Sequence, residues 1–263
     1  MAAVTQATAQ FDSGALVKVD HKMTTLSQNL HAVRTRIAAA CEACGRSPQS
    51  VQLLAVSKTF SASDVAEVAA CGQRDFGENY IQEGVDKIES LSAYHFVPAL
   101  VWHCIGPIQS NKTKWVAEHF DWAHTVDRLK IAQRLNDQRP VHLPPLQVCL
   151  QVNIDGGATK SGVTPAEVLA LAIDVAKLPK LSLRGLMTIP DPVDGFEAQV
   201  AVHTRARALF DEVRAVLNSP HFDTLSTGMT SDLEAAIHAG STMVRVGTAI
   251  FGGRTYAGER PLG

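Results

Sequence analysis

The sequence predicts an α/β fold, a single (β/α)8 barrel of the TIM type with one extra helix in front of it. Three observations predict this fold. Eight short apolar or β-branched runs follow Val51, helical patterns lie between them, and no linker rich in Pro, Gly or Ser divides the chain. Parallel strands must be covered by helices, and closing eight of them into a barrel leaves no exposed sheet edge.

The extra helix is predicted before any strand. Apolar residues recur at three- and four-residue steps from Met23 to Cys44, and Gly45 then supplies a stop signal. Residues 1–20 show neither a helical nor a strand period, so we expect a disordered N-terminal tail there. Residues 21–263 are assigned to the barrel domain.

The strands and the other helices follow in alternation. The predicted strands are Leu53–Ser57, Arg74–Gly77, Val101–Ile105, Trp122–Val126, Leu146–Asn153, Ser182–Ile189, Thr224–Thr227 and Met243–Gly247. The helical patterns between them include Ala62–Cys71, Ile108–His119, Pro165–Leu178 and Phe196–Leu217. Because barrels of this kind place their chemistry at the carboxyl ends of the strands, the residues just after each run are the candidates for a site.

Composition excludes several classes of function. The chain has 263 residues, 46% of them hydrophobic, and its 24 basic and 26 acidic residues leave no charge excess for nucleic acid or an anionic membrane. No stretch has the length and apolarity of a membrane span, and the N-terminal segment lacks the apolar core of a secretory signal, which predicts a cytoplasmic protein. Five scattered cysteines favour reduced thiols over a disulfide framework.

Three features of the sequence bear on a metal or nucleotide site. The segment CEAC (41–44) has C-x-x-C spacing, but it lies in a helical pattern without a second pair, which favours two core positions over zinc or redox use. The loop GGATKSG (156–162) resembles a P-loop, yet Thr159 stands where that motif needs glycine. His103 and His124 lie in or near strands without metal-ligand spacing, so core or supporting positions are favoured and no metal is expected.

A phosphate site is predicted where the last two strands end. Gly228 leads from the seventh strand into a helix whose first turn offers Ser231, Asp232 and free backbone N–H groups. Gly247 and Thr248 end the eighth strand, where the glycine allows close backbone approach and the threonine offers a hydroxyl. Either glycine alone indicates only a turn. The loops after strands seven and eight are the recurrent phosphate site of this barrel, however, and both loops fit.

Lys58 follows the first strand, which barrel closure makes a neighbour of the eighth. A partly desolvated lysine amine is a nucleophile toward carbonyls, and pyridoxal 5′-phosphate (PLP) combines an aldehyde with a phosphate, so an internal Schiff base on Lys58 is expected. Without the anion site, an ordinary solvated lysine would be the better interpretation. Arg245 lies inside an apolar strand and needs a partner, either a buried carboxylate or the pyridine nitrogen, and the latter would weaken the ring as an electron sink.

Seven collinear motifs cover nearly the whole chain after residue 20. They are AVSK (55–58), FGENYIQE (76–83), WHCIGPIQSNK (102–112), HTVD (124–127), QVNIDGGATKSG (151–162), LRGLMTIP (183–190) and STMVRVGTAIFG (241–252). Together they resemble the pyridoxal phosphate homeostasis (YggS/PROSC) family, whose members are fold-type III barrels similar to the N-terminal domain of alanine racemase.

The resemblance implies a set of cofactor-binding residues and a role. The residues are Lys58 for the covalent bond, Asn79 near the ring, Arg245 at the pyridine nitrogen, and Ser226, Thr230, Gly247 and Thr248 at the phosphate. The role is that of a carrier in vitamin B6 homeostasis, which buffers PLP and passes it to apo PLP-dependent enzymes, with no catalytic residue. The pair Thr230-Ser231 departs from the Ser-Asp that the family pattern leads us to expect, although one hydroxyl is kept.

Two enzymatic alternatives stay open. A PLP-dependent amino-acid racemase needs a second acid or base opposite Lys58, which the related racemases take from a tyrosine of an added C-terminal domain. We expect no such domain here, and Tyr80 and Tyr256 are the tyrosines to test. A Schiff-base aldolase would bind a phosphorylated substrate in place of the cofactor and would carry no chromophore. Without the added domain, a monomer is expected.

Overall fold

The computed structural model describes residues 24–157 and 160–253, and these residues form a closed barrel of eight parallel strands in sequence order. The strands are β1 Gln52–Val56, β2 Asp75–Glu78, β3 Val101–Cys104, β4 Trp122–Val126, β5 Leu146–Val152, β6 Leu181–Thr188, β7 Thr224–Met229 and β8 Met243–Val246. Pairing of β1 with both β2 and β8 closes the barrel, so the predicted fold is confirmed. The predicted tail at residues 1–20, residues 158–159 and Tyr256 lie outside the described residues.

Helices cover the outer face of the barrel. They are α1 Thr25–Ala43, α2 Ala62–Ala70, α3 Ile81–Leu91, α4 Thr113–His119, α5 Leu129–Gln138, α6 Pro165–Val175, α7 Phe196–Leu217, α8 Leu233–His238 and α9 Thr248–Phe251. The helix predicted from Ile108 begins only at Thr113, because Ser110 and Asn111 favour a turn and the Ser110 carbonyl accepts a hydrogen bond from the Thr113 hydroxyl. None of the helices in the described segments combines the length and the apolarity needed to cross a membrane.

The extra N-terminal helix α1 packs beside the loops that follow β7 and β8. Its apolar face is buried at Leu30, Val33, Ile37, Ala40 and Cys41. On its polar side, the Arg36 guanidinium donates to the Glu234 carboxylate of α8 and to the Thr230 carbonyl oxygen, the latter at 3.0 Å. The Asn29 amide donates to the carbonyl oxygen of Ile250 in α9 at 2.9 Å. Helix α1 therefore supports both loops from outside the barrel.

Side chains of the strands alternate between the barrel interior and the helix layer. Inside the barrel, Leu54 and Val56 of β1 pack with Ile105 and Met243. The residues between them face the core that separates the strands from the helices, as Ala55 does. Continued by two residues beyond Val56, this alternation places Lys58 on the interior side, at the carboxyl end of the barrel.

Candidate functional site

The candidate site is the barrel mouth, the end at which the carboxyl ends of the strands meet. β1 is hydrogen-bonded to β2 and β8, and β8 is hydrogen-bonded to β7. The segments that follow these four strands therefore share one end of the barrel. They include the predicted residues Lys58 and Asn79, both partly exposed, and the two predicted phosphate loops.

The backbone before Lys58 is held by three charged side chains, the buried Glu78 and Lys87 and the partly exposed Glu83, which we call the Lys87 cluster. The Lys87 ammonium lies 2.7 Å from one carboxylate oxygen of each glutamate and 2.7 Å from the Ser57 carbonyl oxygen. The Ser57 hydroxyl donates to Glu78 at 2.6 Å. These hydrogen bonds hold Ser57, the residue directly before Lys58, in place at the end of β1.

The same cluster holds the backbone after Lys58. The amide of Thr59 donates to the Glu83 carboxylate that also accepts from Lys87. Thr59 has a φ of +69°, a conformation that a β-branched residue rarely adopts. The hydrogen bond to Glu83 helps to offset this backbone strain, so Lys58 stands between two anchored residues.

Glu78 is a buried member of the cluster, and its burial opposes ionisation of the carboxyl group. It has no solvent exposure, and burial raises the pKa of its carboxyl group although Lys87 and the Ser57 hydroxyl act to lower it. Its second oxygen, Oε2, is buried and finds no hydrogen-bond partner among the described residues. Loss of Lys87 would therefore leave a buried carboxylate without its counter-charge.

Asn79 lies at the mouth with an unsatisfied polar atom. Its Oδ1 is buried and has no hydrogen-bond partner within the described part of the chain. Such an atom costs about 1–3 kcal/mol, so it is typical of a position that a ligand or an ordered water completes. The Asn79 backbone packs tightly against Gly106, because a Cβ at Gly106 would lie 1.9 Å from the Asn79 carbonyl oxygen.

The two predicted phosphate loops meet as expected from barrel closure. The hydroxyls of Thr230, after β7, and Thr248, after β8, lie 3.4 Å apart, and Thr248 is exposed. Gly228 has a φ of +93°, which a side chain would strain. A Cβ at Gly247 would lie 3.1 Å from the Val56 carbonyl oxygen, so this glycine allows β8 to end close against β1. The paired hydroxyls form a donor set that suits a phosphate.

Asp232 lies next to these loops, and its carboxylate already interacts with other groups of the protein. Its carboxylate accepts hydrogen bonds from the Met229 amide at 2.6 Å and interacts with His203 Nε2 at 3.0 Å. Burial opposes ionisation of Asp232, but these two hydrogen bonds prevail and hold the pKa of its carboxyl group below the ordinary value. By accepting from the Met229 amide, the Asp232 carboxylate stabilises the turn that follows β7.

Arg245 lies inside the barrel and is almost completely buried. Its Nη1 donates to the hydroxyl and carbonyl oxygens of Ser226 at 2.9 and 2.8 Å, and its Nη2 donates to the Thr188 carbonyl oxygen at 2.9 Å. No carboxylate among the described residues forms an ion pair with it. Burial lowers the pKa of Arg245 to about 10, which leaves the guanidinium charged at neutral pH. The predicted contact with a pyridine nitrogen stays a prediction.

Ser226 lies deeper than the other residues predicted to contact a phosphate. Its side chain has no solvent exposure, and its hydroxyl is bonded within the barrel to Arg245 and to His124, the latter at 3.3 Å. Among the described residues, no hydrogen bond joins the Ser226 hydroxyl to those of Thr230 and Thr248. A phosphate contact from Ser226 stays a prediction that would require these internal bonds to change.

Sequence reasoning missed the Lys87 cluster. In the sequence, Glu78 is simply a residue that follows the second predicted strand, and nothing connects it with Lys87. One signal was present, since Glu83 and Lys87 are spaced i, i+4 on one helix face. That spacing is common on solvated helices, so it does not reveal that Lys87 is buried beneath the end of β1.

Comparisons with known proteins identify relatives over most of the chain. The family described as "Alanine racemase, N-terminal domain" matches residues 28–255. The "Pyridoxal phosphate homeostasis protein" of Escherichia coli (strain K12) is 55% identical over 235 residues, which cover 89% of this chain and 99% of that protein.

Solved structures agree with this match. PipY of Synechococcus elongatus PCC7942, with PLP bound, is 35% identical with a TM-score of 0.71, and the match covers 84% of this chain and 100% of PipY. An alanine racemase from Clostridium difficile 630 has a TM-score of 0.68 at 16% identity, over 88% of this chain and 58% of that one. At that identity the racemase shares the fold alone.

Proposed function

The chain belongs to the pyridoxal phosphate homeostasis family, within the wider alanine racemase N-terminal domain family, and on this premise we propose that it binds PLP at the barrel mouth as a Schiff base on Lys58. One observation carries the proposal. The mouth joins a lysine at the end of β1 to the paired hydroxyls of Thr230 and Thr248 at the ends of β7 and β8. A nucleophilic amine beside a phosphate site suits a phosphorylated aldehyde.

Each residue of the mouth has a distinct part in this proposal. Lys58 supplies the amine, and Thr230 and Thr248 donate hydroxyl hydrogen bonds to the phosphate. Asn79 offers its unsatisfied amide oxygen near the ring. Arg245 offers a cation that does not readily release a proton, and a ring nitrogen beside it stays unprotonated. The cofactor then supplies little carbanion stabilisation, which favours holding PLP over catalysis.

The function that follows is a PLP carrier rather than a robust enzyme. It would buffer the reactive aldehyde, act in vitamin B6 homeostasis and pass PLP to apo PLP-dependent enzymes. The name of the Escherichia coli relative describes homeostasis, which supports this proposal. A monomer and a cytoplasmic location belong to the same proposal. The racemase alternative is kept because Tyr80, 58% exposed, directly follows Asn79 at the mouth.

The Schiff base is tested by absorbance of the purified protein with added PLP. We expect an absorbance band at about 420 nm that borohydride abolishes, because reduction removes the conjugated C=N bond. Lys58→Ala should lack the band. Lys177→Ala, which removes an exposed lysine beyond the end of α6, should keep it.

Other outcomes would redirect the proposal. Wild-type protein that stays colourless with PLP would rule out the Schiff base and bring back the aldolase or a simple phosphate-binding module. A racemisation activity that Tyr80→Phe removes without loss of the band would contradict the carrier proposal.

The phosphate loops are tested by comparing PLP with pyridoxal, which lacks the phosphate. Thr248→Val should weaken PLP binding about 10- to 100-fold, because it removes a hydrogen bond to a charged group worth about 1.5–3 kcal/mol. Pyridoxal binding should stay unchanged. Absorbance titration of both compounds gives the two affinities, with Thr35→Val on α1 as the matched control. Equal weakening of both ligands would show that Thr248 supports the fold of the mouth instead of the phosphate.

A further inference from the structure

A continuous chain of hydrogen bonds crosses the barrel interior from its floor to Arg245. Asp75, at the amino end of β2, lies 3.1 Å from His103 Nε2. His103 Nδ1 lies 2.9 Å from His124 Nε2, and His124 Nδ1 lies 3.3 Å from the Ser226 hydroxyl oxygen. Arg245 Nη1 completes the chain at 2.9 Å from the same oxygen. The two imidazoles and Ser226 have no solvent exposure, whereas Asp75 reaches the surface.

The two ends of the chain determine where its protons lie. A guanidinium only donates, and an ionised carboxylate only accepts. Because the Ser226 hydroxyl oxygen accepts from Arg245, its own proton goes to His124 Nδ1, the other partner that the described residues offer it. His124 then carries its proton on Nε2 and donates to His103 Nδ1. His103 in turn carries its proton on Nε2 and donates to Asp75.

Burial agrees with this assignment. It holds the pKa of His124 well below the ordinary value, and the nearby charge of Arg245 acts in the same direction. His124 is therefore the neutral imidazole that the chain requires. Every donor in the chain faces an acceptor, and no group has a second arrangement that satisfies all its neighbours.

We propose that His103 and His124 are positioning residues for Arg245, which the chain anchored at Asp75 holds in one orientation below the mouth. Three of the five N–H groups of Arg245 are used by Ser226 and Thr188. The chain thereby fixes the direction of the remaining N–H donors of Arg245. The consequence of this orientation for PLP rests on the function proposed above. A purely structural network would stabilise the barrel without any effect on the bound cofactor.

The first test needs no cofactor. ¹⁵N NMR of histidine-labelled wild-type protein, freed of any cofactor, reports which ring nitrogen carries the proton. We expect His103 and His124 each to carry a proton on Nε2 and none on Nδ1. A proton on Nδ1 of either ring would overturn the assigned direction and with it the proposal, whether or not PLP binds.

The second test measures the effect on bound PLP. His124→Leu breaks the chain, so we expect a shifted absorbance band and about tenfold weaker PLP binding. His124→Gln should restore most of both, because its amide can accept from Ser226 and donate to His103. Met187→Leu, a volume-conserving change at an interior residue that lies beside Ser226 but is not a member of the chain, is the control and should behave as wild type.

A double variant separates positioning from general stability. In an Arg245→Gln background, His124→Leu should cause no further shift of the band, because the chain has no guanidinium left to hold. An equal shift in both backgrounds, or a folded His124→Leu protein with the wild-type band and affinity, would overturn the proposal. Wild-type protein that takes up no PLP would instead refute the proposed function. The NMR measurement would still test the direction of the hydrogen bonds in the chain.

Discussion

Replacing Gly106 with alanine is expected to lower the free energy of unfolding by about 3 kcal/mol and to abolish uptake of PLP. The added Cβ would lie 1.9 Å from the Asn79 carbonyl oxygen and 2.8 Å from the Asn79 Cα. Backbone atoms cannot rotate away as the end of a long side chain can. The chain at Asn79 must therefore shift, and the next hydrogen bond inward, from the Ile105 amide to the Glu78 carbonyl oxygen at 2.9 Å, is strained with it.

Urea unfolding and the absorbance titration measure these two effects for Gly106→Ala. Gly157→Ala is the matched control, since within the described segments its Cβ would meet only the Lys160 side chain at 3.6 Å, and it should change stability by no more than about 0.5 kcal/mol. If Gly106→Ala had wild-type stability and affinity, the close approach of the segments after β2 and β3 would not exist in solution.

Lys87→Met is expected to destabilise the protein by about 3–5 kcal/mol at pH 8, because it leaves Glu78 buried without its counter-charge. It should also slow formation of the Schiff base, although Lys58 itself is unchanged. The reason is that Ser57 loses a hydrogen bond and Glu83, which holds Thr59, loses its ammonium partner. Urea unfolding and the rate at which the absorbance band appears measure the two effects.

The effect of Lys87→Met should depend on pH in a defined direction. Burial already raises the pKa of Glu78, and loss of Lys87 raises it further. A carboxyl group whose pKa is higher in the folded than in the unfolded state binds more protons when folded, so stability falls as pH rises above about 4.5. The difference between variant and wild type should therefore be small near pH 4.5 and large at pH 8.

A second variant separates charge from packing. Glu78→Gln combined with Lys87→Met removes both buried charges, so at pH 8 it should be more stable than Lys87→Met alone. A loss of stability in Lys87→Met that does not change with pH, or that the Glu78 substitution does not reduce, would contradict a buried charge as the cause.

The fold was predictable because local patterns suffice for it. The two ends of β4 and of α7 coincide with the runs read from the sequence, since alternation and helical period are visible without tertiary contacts. The placement of Lys58 and Thr248 at one end of the barrel was predictable for a related reason, while their contacts with a cofactor, like that of Thr230, stay predictions. Barrel closure alone brings the ends of β1, β7 and β8 to one mouth.

The interior of the site was not predictable because it depends on register. Ser226 is opposite Met243 of β8, and the register between β7 and β8 then shifts between Ser226 and Met229, which no local pattern reveals. The pairing of His103 with His124 depends on how β3 and β4 align, where His103 is opposite Trp122. Burial of the Lys87 cluster likewise requires α3 to be packed beneath the end of β1.

Barrel closure also determines when during synthesis the mouth can first hold a ligand. Leu54 of β1 lies opposite Arg245 of β8, and Lys58 precedes Arg245 by 187 residues. At about 5–20 residues per second, a ribosome would need roughly 10–40 s to add the second half of the site after the first. A nascent chain thus contains Lys58 well before it contains the loops that follow β7 and β8. Under the proposed function, PLP could be bound only by chains in which β8 has already paired with β1, so bound PLP would mark completed folding.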